Sequence, residues 1–145
     1  MLLIKIKHVI LHVIGIIVYN YHPKTRDELY ELVNKLIKER GNDANLNDID
    51  TSKITNMFFC SKFNGDISKW DVSNVKNMED MFFCSKFNSD ISNWDVSNVK
   101  NMITMFSHSQ FNSDISKWDV SNVRDMQGMF DNCPITEKYK PKFKI

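Results

Sequence analysis

The sequence predicts an α/β solenoid of about 3.5 coils of 24 residues, closed at its N-terminal end by a helix. The string D-I-S-x-W-D-V-S-N-V occurs three times at a fixed spacing of 24 residues, starting at Asp66, Asp90 and Asp114. The first two repeats are identical at 18 of 24 positions. A fixed period of about 20 to 50 residues is typical of arrays in which each unit buries its apolar face against its neighbours.

Each repeat is predicted to contain a short parallel strand followed by a short helix. Trp70 and Val72 alternate with polar residues, as in a strand with one buried face, and the apolar residues from Val75 to Phe82 recur at spacings of three and four. This order of elements favours a leucine-rich-repeat-like solenoid with a parallel sheet along one side. The residues predicted to pack inside it as columns are Trp70, Trp94, Trp118, Met78, Met81, Met102, Met105, Met126 and Met129.

Residues 23–145 are predicted to form one repeat domain. Thr25 and Glu28 have the spacing of a capping box and Gly41 provides a stop, so a helix is expected over 25–40. The tail from Lys138 to Lys144 is interpreted as a solvated cap, with contact to an anionic surface as the alternative. The predicted segments are the helical cap 23–41, a degenerate repeat 42–65, repeats 66–89, 90–113 and 114–137, and a C-terminal cap 131–145.

Residues 1–22 form an apolar leader with two open interpretations. Positive charge at Lys5 and Lys7 ahead of an apolar stretch resembles an export signal or a membrane tether, although no small-x-small cleavage site follows. The alternative is a β-branched strand that covers the first coil. The uninterrupted apolar run is too short to span a bilayer as a helix. Membrane contact is therefore expected only through residues 1–20, if at all.

Composition excludes several classes of function. The formal net charge is +1, which provides no basic footprint for nucleic acid. The three cysteines form neither a disulfide framework nor a zinc motif, and we expect no metal, cofactor or small-molecule substrate. Cys60 and Cys84 share a column and are expected to be buried free thiols, with a disulfide as the alternative if the coils are in register.

Stacking brings like charges together in the row formed by Asp71, Asp95 and Asp119. Parallel strands lie about 5 Å apart, so these carboxylates must be solvated or countered. Lys69 and Lys117 are the predicted countercharges. Calcium is not expected, because no glycine-rich ligand loop accompanies the row.

No arrangement of nucleophile and base is suggested by the spacing, and repeated carboxylates provide the same environment several times rather than two unlike ones. We therefore expect a protein that is not an enzyme and that binds a protein partner through outward strand residues. The predicted partner-binding residues are Lys69, Asp71, Ser73, Asn93, Asp95, Ser97, Lys117, Asp119 and Ser121.

The pattern I-S-x-W-D-V-S-N-V-x-x-M-x-x-M-F, followed by F-N-x-D, resembles the repeat of the BspA-type leucine-rich repeat surface proteins of bacteria. The resemblance covers about residues 23 to 142. It implies an exposed interaction protein on the cell surface or secreted, with an adhesion role and no catalytic residues. The alternatives are a purely structural or self-associating repeat fragment, or a cytoplasmic scaffold if residues 1–20 are not an export signal.

Overall fold

The structure is a computed structural model that describes residues 18–57 and 62–143. Within these residues the helices are one α-helix, α1 (Arg26–Arg40), and a short 3₁₀ helix (Glu137–Tyr139). Neither of these two helices is both long and apolar enough to cross a membrane. Between them, residues 41–57 and 62–136 run mostly as turns and irregular segments. Isolated parallel bridges join parts of the described chain: Tyr21–Ile49, Asn45–Asp66, Asn56–Asn77, Asn77–Asn101 and Asn101–Asp125.

The predicted α/β leucine-rich-repeat-like solenoid is wrong. In the described part of the repeats there is no β-sheet, and no repeat contains a helix of its own. The segment around Trp70 and Val72, predicted as a strand, forms no bridge and is flanked by turns. The segment from Val75 to Phe82, predicted as a helix, consists of one bridge residue and a run of turns. We call the path of one repeat a layer.

Hydrogen bonding between layers uses the amides that a helix would need. Met78 N donates to Asn101 O at 2.9 Å and Phe82 N donates to Met105 O at 2.8 Å, so alternate amides point to the next layer. Between them, Asp80 has a φ of 56°, a left-handed angle that a right-handed helix does not accommodate. The other residues with positive φ in this part of the layers are Cys84, Thr104, His108, Gly128 and Asn132.

The tryptophans join each layer to the one before it, as core residues. Trp94 Nε1 donates to Ile67 O at 3.2 Å and Trp118 Nε1 donates to Ile91 O at 3.1 Å. The rings of Trp94 and Trp118 are stacked, with centroids 6.4 Å apart. Trp70 makes the equivalent bond to Leu46 O at 2.9 Å. All three indoles are buried, which confirms the predicted tryptophan column.

Phenylalanines form a second stacked column in the interior. The rings of Phe63, Phe87 and Phe111 follow one another at 6.3 and 6.2 Å. The predicted methionine packing is confirmed for the buried Met78, Met81, Met102, Met105 and Met129. The prediction is wrong for Met126, which is 38% exposed. Its equivalents Met78 and Met102 donate their amides to a following layer, whereas Met126 belongs to the last layer.

Asparagine side chains reinforce the stacking outside the core. Asn98 Nδ2 donates to Ser73 O at 2.8 Å, and Asn122 Nδ2 makes the same bond to Ser97 O at 2.7 Å. In a second row, Asn88 Oδ1 accepts from the amide of the asparagine 24 residues later at 2.7 Å. These bonds satisfy backbone groups that no sheet or helix engages, because polar groups left without a partner would cost stability.

Helix α1 closes the N-terminal end of the stack, as predicted. Thr25 Oγ1 accepts from Glu28 N at 3.2 Å, which is the first half of a capping box. Glu28 Oε2 accepts from Lys24 N at 2.7 Å, one residue before the cap position. Leu29, Val33 and Leu36 bury the apolar face of the helix in the core.

Arg40, the last residue of α1, ties the helix to the first layer. Its guanidinium donates to both oxygens of Asp48 at 3.0 Å, and it lies 5.7 Å from the centroid of the Tyr21 ring. Tyr21 is bridged to Ile49, while Asn20 N donates to Asp48 O at 2.8 Å. The end of the predicted leader therefore lies along the first layer, and the two interpretations of residues 1–17 fall outside the described residues.

We predict that Trp94→Phe lowers the free energy of unfolding by about 1–3 kcal/mol, because Ile67 O loses a buried donor. Urea unfolding followed by circular dichroism measures the change. Phe83→Leu in the neighbouring layer is the control, since Phe83 is 43% exposed and should change stability by less than about 0.5 kcal/mol. Equal stability of the Trp94→Phe variant and wild type would contradict the bonding role of the indole.

We also predict that the Arg40–Asp48 pair makes stability depend on acid pH. Burial raises the pKa of Asp48, but hydrogen bonds from Arg40 and Asn20 outweigh this and hold the pKa below its ordinary value. A carboxyl whose pKa is lower in the folded state stabilises the fold above its unfolded pKa, about 3.9, and loses that contribution as the pH falls through its folded pKa.

Asp48→Asn should therefore be less stable than wild type at pH 7, and the difference should shrink as the pH falls below about 4. Thermal melts across this range measure it. Glu39→Gln removes an exposed pair with Lys35 and is the control, with little expected effect. A difference that stays constant down to acid pH would contradict the assigned pKa shift.

Candidate functional site

The nine residues predicted to bind a partner lie at the surface in three successive layers. Ser73 and Ser97 are half-buried and the other seven are exposed. We call this surface the Asp–Ser face. Its members are Lys69, Asp71, Ser73, Asn93, Asp95, Ser97, Lys117, Asp119 and Ser121.

The Asp–Ser face is built from side-chain-capped turns and not from the strands that were predicted. Asp71 Oδ1 accepts from Ser73 N at 3.0 Å and from Ser73 Oγ at 2.6 Å. Asp95 Oδ1 accepts the same pair of bonds from Ser97 at 3.1 and 2.6 Å. Aspartate side chains commonly bond to the backbone two residues on, which explains why D-x-S recurs in the sequence. Each carboxylate is therefore held in place by its own turn.

The carboxylate of Asp95, in the middle of the row, has a lowered pKa despite its charged neighbour. The hydroxyl and amide of Ser97 lower the pKa of Asp95, and they outweigh the neighbouring charge of Asp119, which raises it. The predicted electrostatic coupling between aspartates of adjacent layers is therefore present. Hydrogen bonds to the charged form compensate for it, which is one way in which a protein keeps like charges together.

The charges of the two lysines act on Asp66 and Asp114, which were not among the carboxylates predicted. Burial raises the pKa of Asp66, but hydrogen bonds from Ser68 and the charge of Lys69 lower it overall. Hydrogen bonds from Ser116 lower the pKa of Asp114, and the charges of Lys117 and Lys138 add to this effect. The lysines therefore lower the pKa of carboxylates in the D-I-S turns.

The D-I-S turns are the surface residues that sequence reasoning missed. Asp90 Oδ1 accepts from Ser92 N at 2.9 Å, and Asp114 Oδ1 accepts from Ser116 N at 2.9 Å, as in the D-V-S turns. The signal was present, because D-I-S repeats the D-x-S spacing of D-V-S. These turns border a groove of about 400 Å³. Asn93 and Lys117 of the Asp–Ser face also line this groove. Its lining is Asp90, Ser92, Asn93, Asn112, Ser113, Asp114, Lys117 and Tyr139.

Only some of the cysteines and possible metal ligands lie within the described residues. Cys60 lies outside them. Cys84 is a free thiol at the surface, and the expectation of a buried thiol there is wrong. It occupies a left-handed turn position, with a φ of 52°, rather than a helix face turned to the core. Among residues 18–57 and 62–143, no group of three or more His, Cys, Asp or Glu side chains is arranged to hold a metal ion.

Comparisons with known proteins place the chain in a family. A family model described as "Mycoplasma protein of unknown function, DUF285" matches residues 28–142. The comparisons with curated proteins and with solved structures gave no match. The matched range begins within α1, continues through all the layers and ends in the tail, which is most of the 145 residues. The chain therefore belongs to the family described as Mycoplasma protein of unknown function, DUF285.

Proposed function

We propose that this protein is a non-catalytic protein-interaction module of the BspA-type surface proteins, and that it presents the Asp–Ser face to a protein partner. The leucine-rich-repeat fold attached to that resemblance is not part of the proposal. The observation that carries the proposal is the repetition of one exposed, turn-held carboxylate in three successive layers. A row of this kind offers a partner the same acceptor in each successive layer.

The geometry of the turns supports recognition by hydrogen bonding. Both hydrogen bonds to the carboxylate go to Oδ1 in Asp71 and in Asp95, so Oδ2 is the acceptor that a partner would meet. The turns hold each carboxylate before binding, which reduces the side-chain entropy lost on association. A partner surface with arginine side chains fits this row, because hydrogen bonds between a guanidinium and a carboxylate are charge-assisted and therefore stronger than neutral ones.

A binding role also agrees with the uniformity of the row. General acid–base catalysis requires two ionisable groups whose environments hold their pKa values apart. Asp71 and Asp95 instead each accept from the serine two residues later, in turns of the same kind. The arrangement supports repeated contact with a partner better than it supports proton transfer.

The proposed location is the cell surface or the extracellular medium. The resemblance to the BspA-type surface proteins supports it, and the apolar leader at residues 1–22 is compatible with export. Cell fractionation with sequencing of the mature N-terminus tests it. We expect the protein outside the cytoplasm. Recovery of chains that retain Met1 in the cytosol would instead favour the intracellular scaffold.

We predict that replacing Asp71, Asp95 and Asp119 together by asparagine abolishes partner cross-linking while the protein stays folded. Asparagine keeps the Oδ1 acceptor of each turn and removes the charge, whereas alanine would also remove the turn's hydrogen bonds. The measurement is cross-linking mass spectrometry of purified protein against surface extracts of the producing cells and their hosts. Thermal melts of both proteins establish that folding is preserved.

The matched control replaces Asp66, Asp90 and Asp114 by asparagine. These residues form the same turns in the same layers but lie outside the Asp–Ser face. The control should retain the cross-links. If both triple variants cross-link like wild type, this surface is rejected, and the alternative of a purely structural role becomes the better account. Loss of cross-links in both variants would contradict the specific assignment to the Asp–Ser face.

A further inference from the structure

The stack ends in a row of backbone amides that lack, within the described part of the chain, the partners found in the two preceding repeats. In the repeat that begins at Asp90, Met102 N donates to Asp125 O at 2.8 Å and Phe106 N donates to Met129 O at 2.9 Å. The remaining bonds of that row run from Thr104 N to Gln127 O at 3.0 Å and from His108 N to Asp131 O at 2.7 Å. In the last layer the equivalent donors are the amides of Met126, Gly128, Phe130 and Asn132.

None of these four amides donates a hydrogen bond to another residue in the described part of the chain. The preceding layers space such donors at every second residue and bind them to a chain that runs parallel. The last layer therefore presents an edge that matches a chain segment lying parallel to it. We call this row the terminal edge.

A cavity of about 610 Å³ lies at the terminal edge, within the range of about 300–1,000 Å³ that is typical of ligand pockets. Met126 and Phe130 contribute apolar surface to it, and the tail contributes lysines. Lys140 pairs with Glu137 and lies 5.3 Å from the centroid of the Phe130 ring. The charged residues of the lining are Lys138, Lys140, Lys142, Asp131 and Glu137, a majority of which are cationic.

The charges distinguish between two possible occupants. A second copy joined through the same end would bring its own lysines against Lys138, Lys140 and Lys142. A second copy stacked head to tail would meet an N-terminal end that α1 and Tyr21 already cover. A segment with carboxylate side chains would meet opposite charge instead, while its backbone carbonyls accept from the edge.

We propose that the terminal edge binds an extended acidic segment of another protein, which lies parallel to it as one more layer. This is the addition of a strand-like segment to an exposed edge, in which main-chain hydrogen bonds provide affinity and side-chain pockets provide specificity. Met126 and Phe130 would contact the segment's apolar side chains, as their equivalents contact the next layer. The proposal does not depend on the function proposed for the Asp–Ser face.

A peptide with the sequence of residues 75–83, V-K-N-M-E-D-M-F-F, is a suitable probe because it has the repeat's register and two adjacent carboxylates. Its matched control carries Glu79→Gln and Asp80→Asn. Fluorescence anisotropy with the full chain should show binding of the acidic peptide and about threefold weaker binding of the amide peptide, as expected when exposed charge pairs are lost. The difference should diminish with added salt.

Two variants of the protein locate the binding. Lys138→Gln with Lys142→Gln should bring the acidic peptide to the affinity of the amide peptide. Met126→Pro removes one donor of the edge and should weaken both peptides, and thermal melts are used to verify that it folds. If it does not fold, the lysine variant and chemical-shift changes at the amides of Gly128 and Asn132 on peptide addition test the same edge.

The asparagine variant of Asp71, Asp95 and Asp119 should bind the acidic peptide like wild type, which separates this inference from the proposed function. Failure of both peptides to bind would overturn the proposal. Equal binding of both peptides would also overturn it, since the charge argument selects the occupant. Concentration-dependent dimers in sedimentation that the peptide does not dissociate would identify a second copy as the occupant instead.

Discussion

The alternate hydrogen bonds between successive layers are the interaction on which the rest of the structure depends. From Met78 to Cys84, every second amide donates to a carbonyl one repeat later, and the next repeat does the same. This register places equivalent side chains above one another. It thereby produces the column of indoles, the stacked phenylalanines and the rows of surface aspartates. A single layer would have neither these partners nor a closed core, so stability belongs to the array.

The same register explains why the surface can carry a repeated recognition pattern. Each D-x-S turn satisfies its own backbone through the aspartate side chain, so it needs no strand neighbour to keep its shape. The layers then bring these independent turns into rows. Charge repulsion within a row is offset locally, since the hydroxyl and amide that hold Asp95 also stabilise its charged form. Hydrogen bonds within the turn therefore offset the repulsion between aligned carboxylates at Asp95.

The two ends of the stack are closed to different degrees. At the N-terminal end, α1 buries Leu29, Val33 and Leu36, and Arg40 fastens the helix to Asp48. At the other end, the tail bonds through Tyr139 O to Ile115 N and borders the cavity at the terminal edge, but no amide of that edge donates to a residue of the described tail. An array has two exposed ends by construction, and each requires a cap or a partner. Met126 is exposed because no further layer covers this second end of the stack.

The sequence by itself determined the repeat, its buried tryptophan column, the burial of every predicted methionine except Met126, the capped helix before the repeat and the surface position of the D-V-S residues. Each follows from local spacing, because hydrophobic period and capping chemistry act within a few residues. Only the tertiary structure decided that the apolar run after Val75 would be turns rather than a helix. Its amides have two competing sets of acceptors, one within the segment and one in the next layer, and the structure pairs them with the next layer. The left-handed φ angles at Asp80 and Cys84 occur in these turns, and no local sequence pattern predicted them.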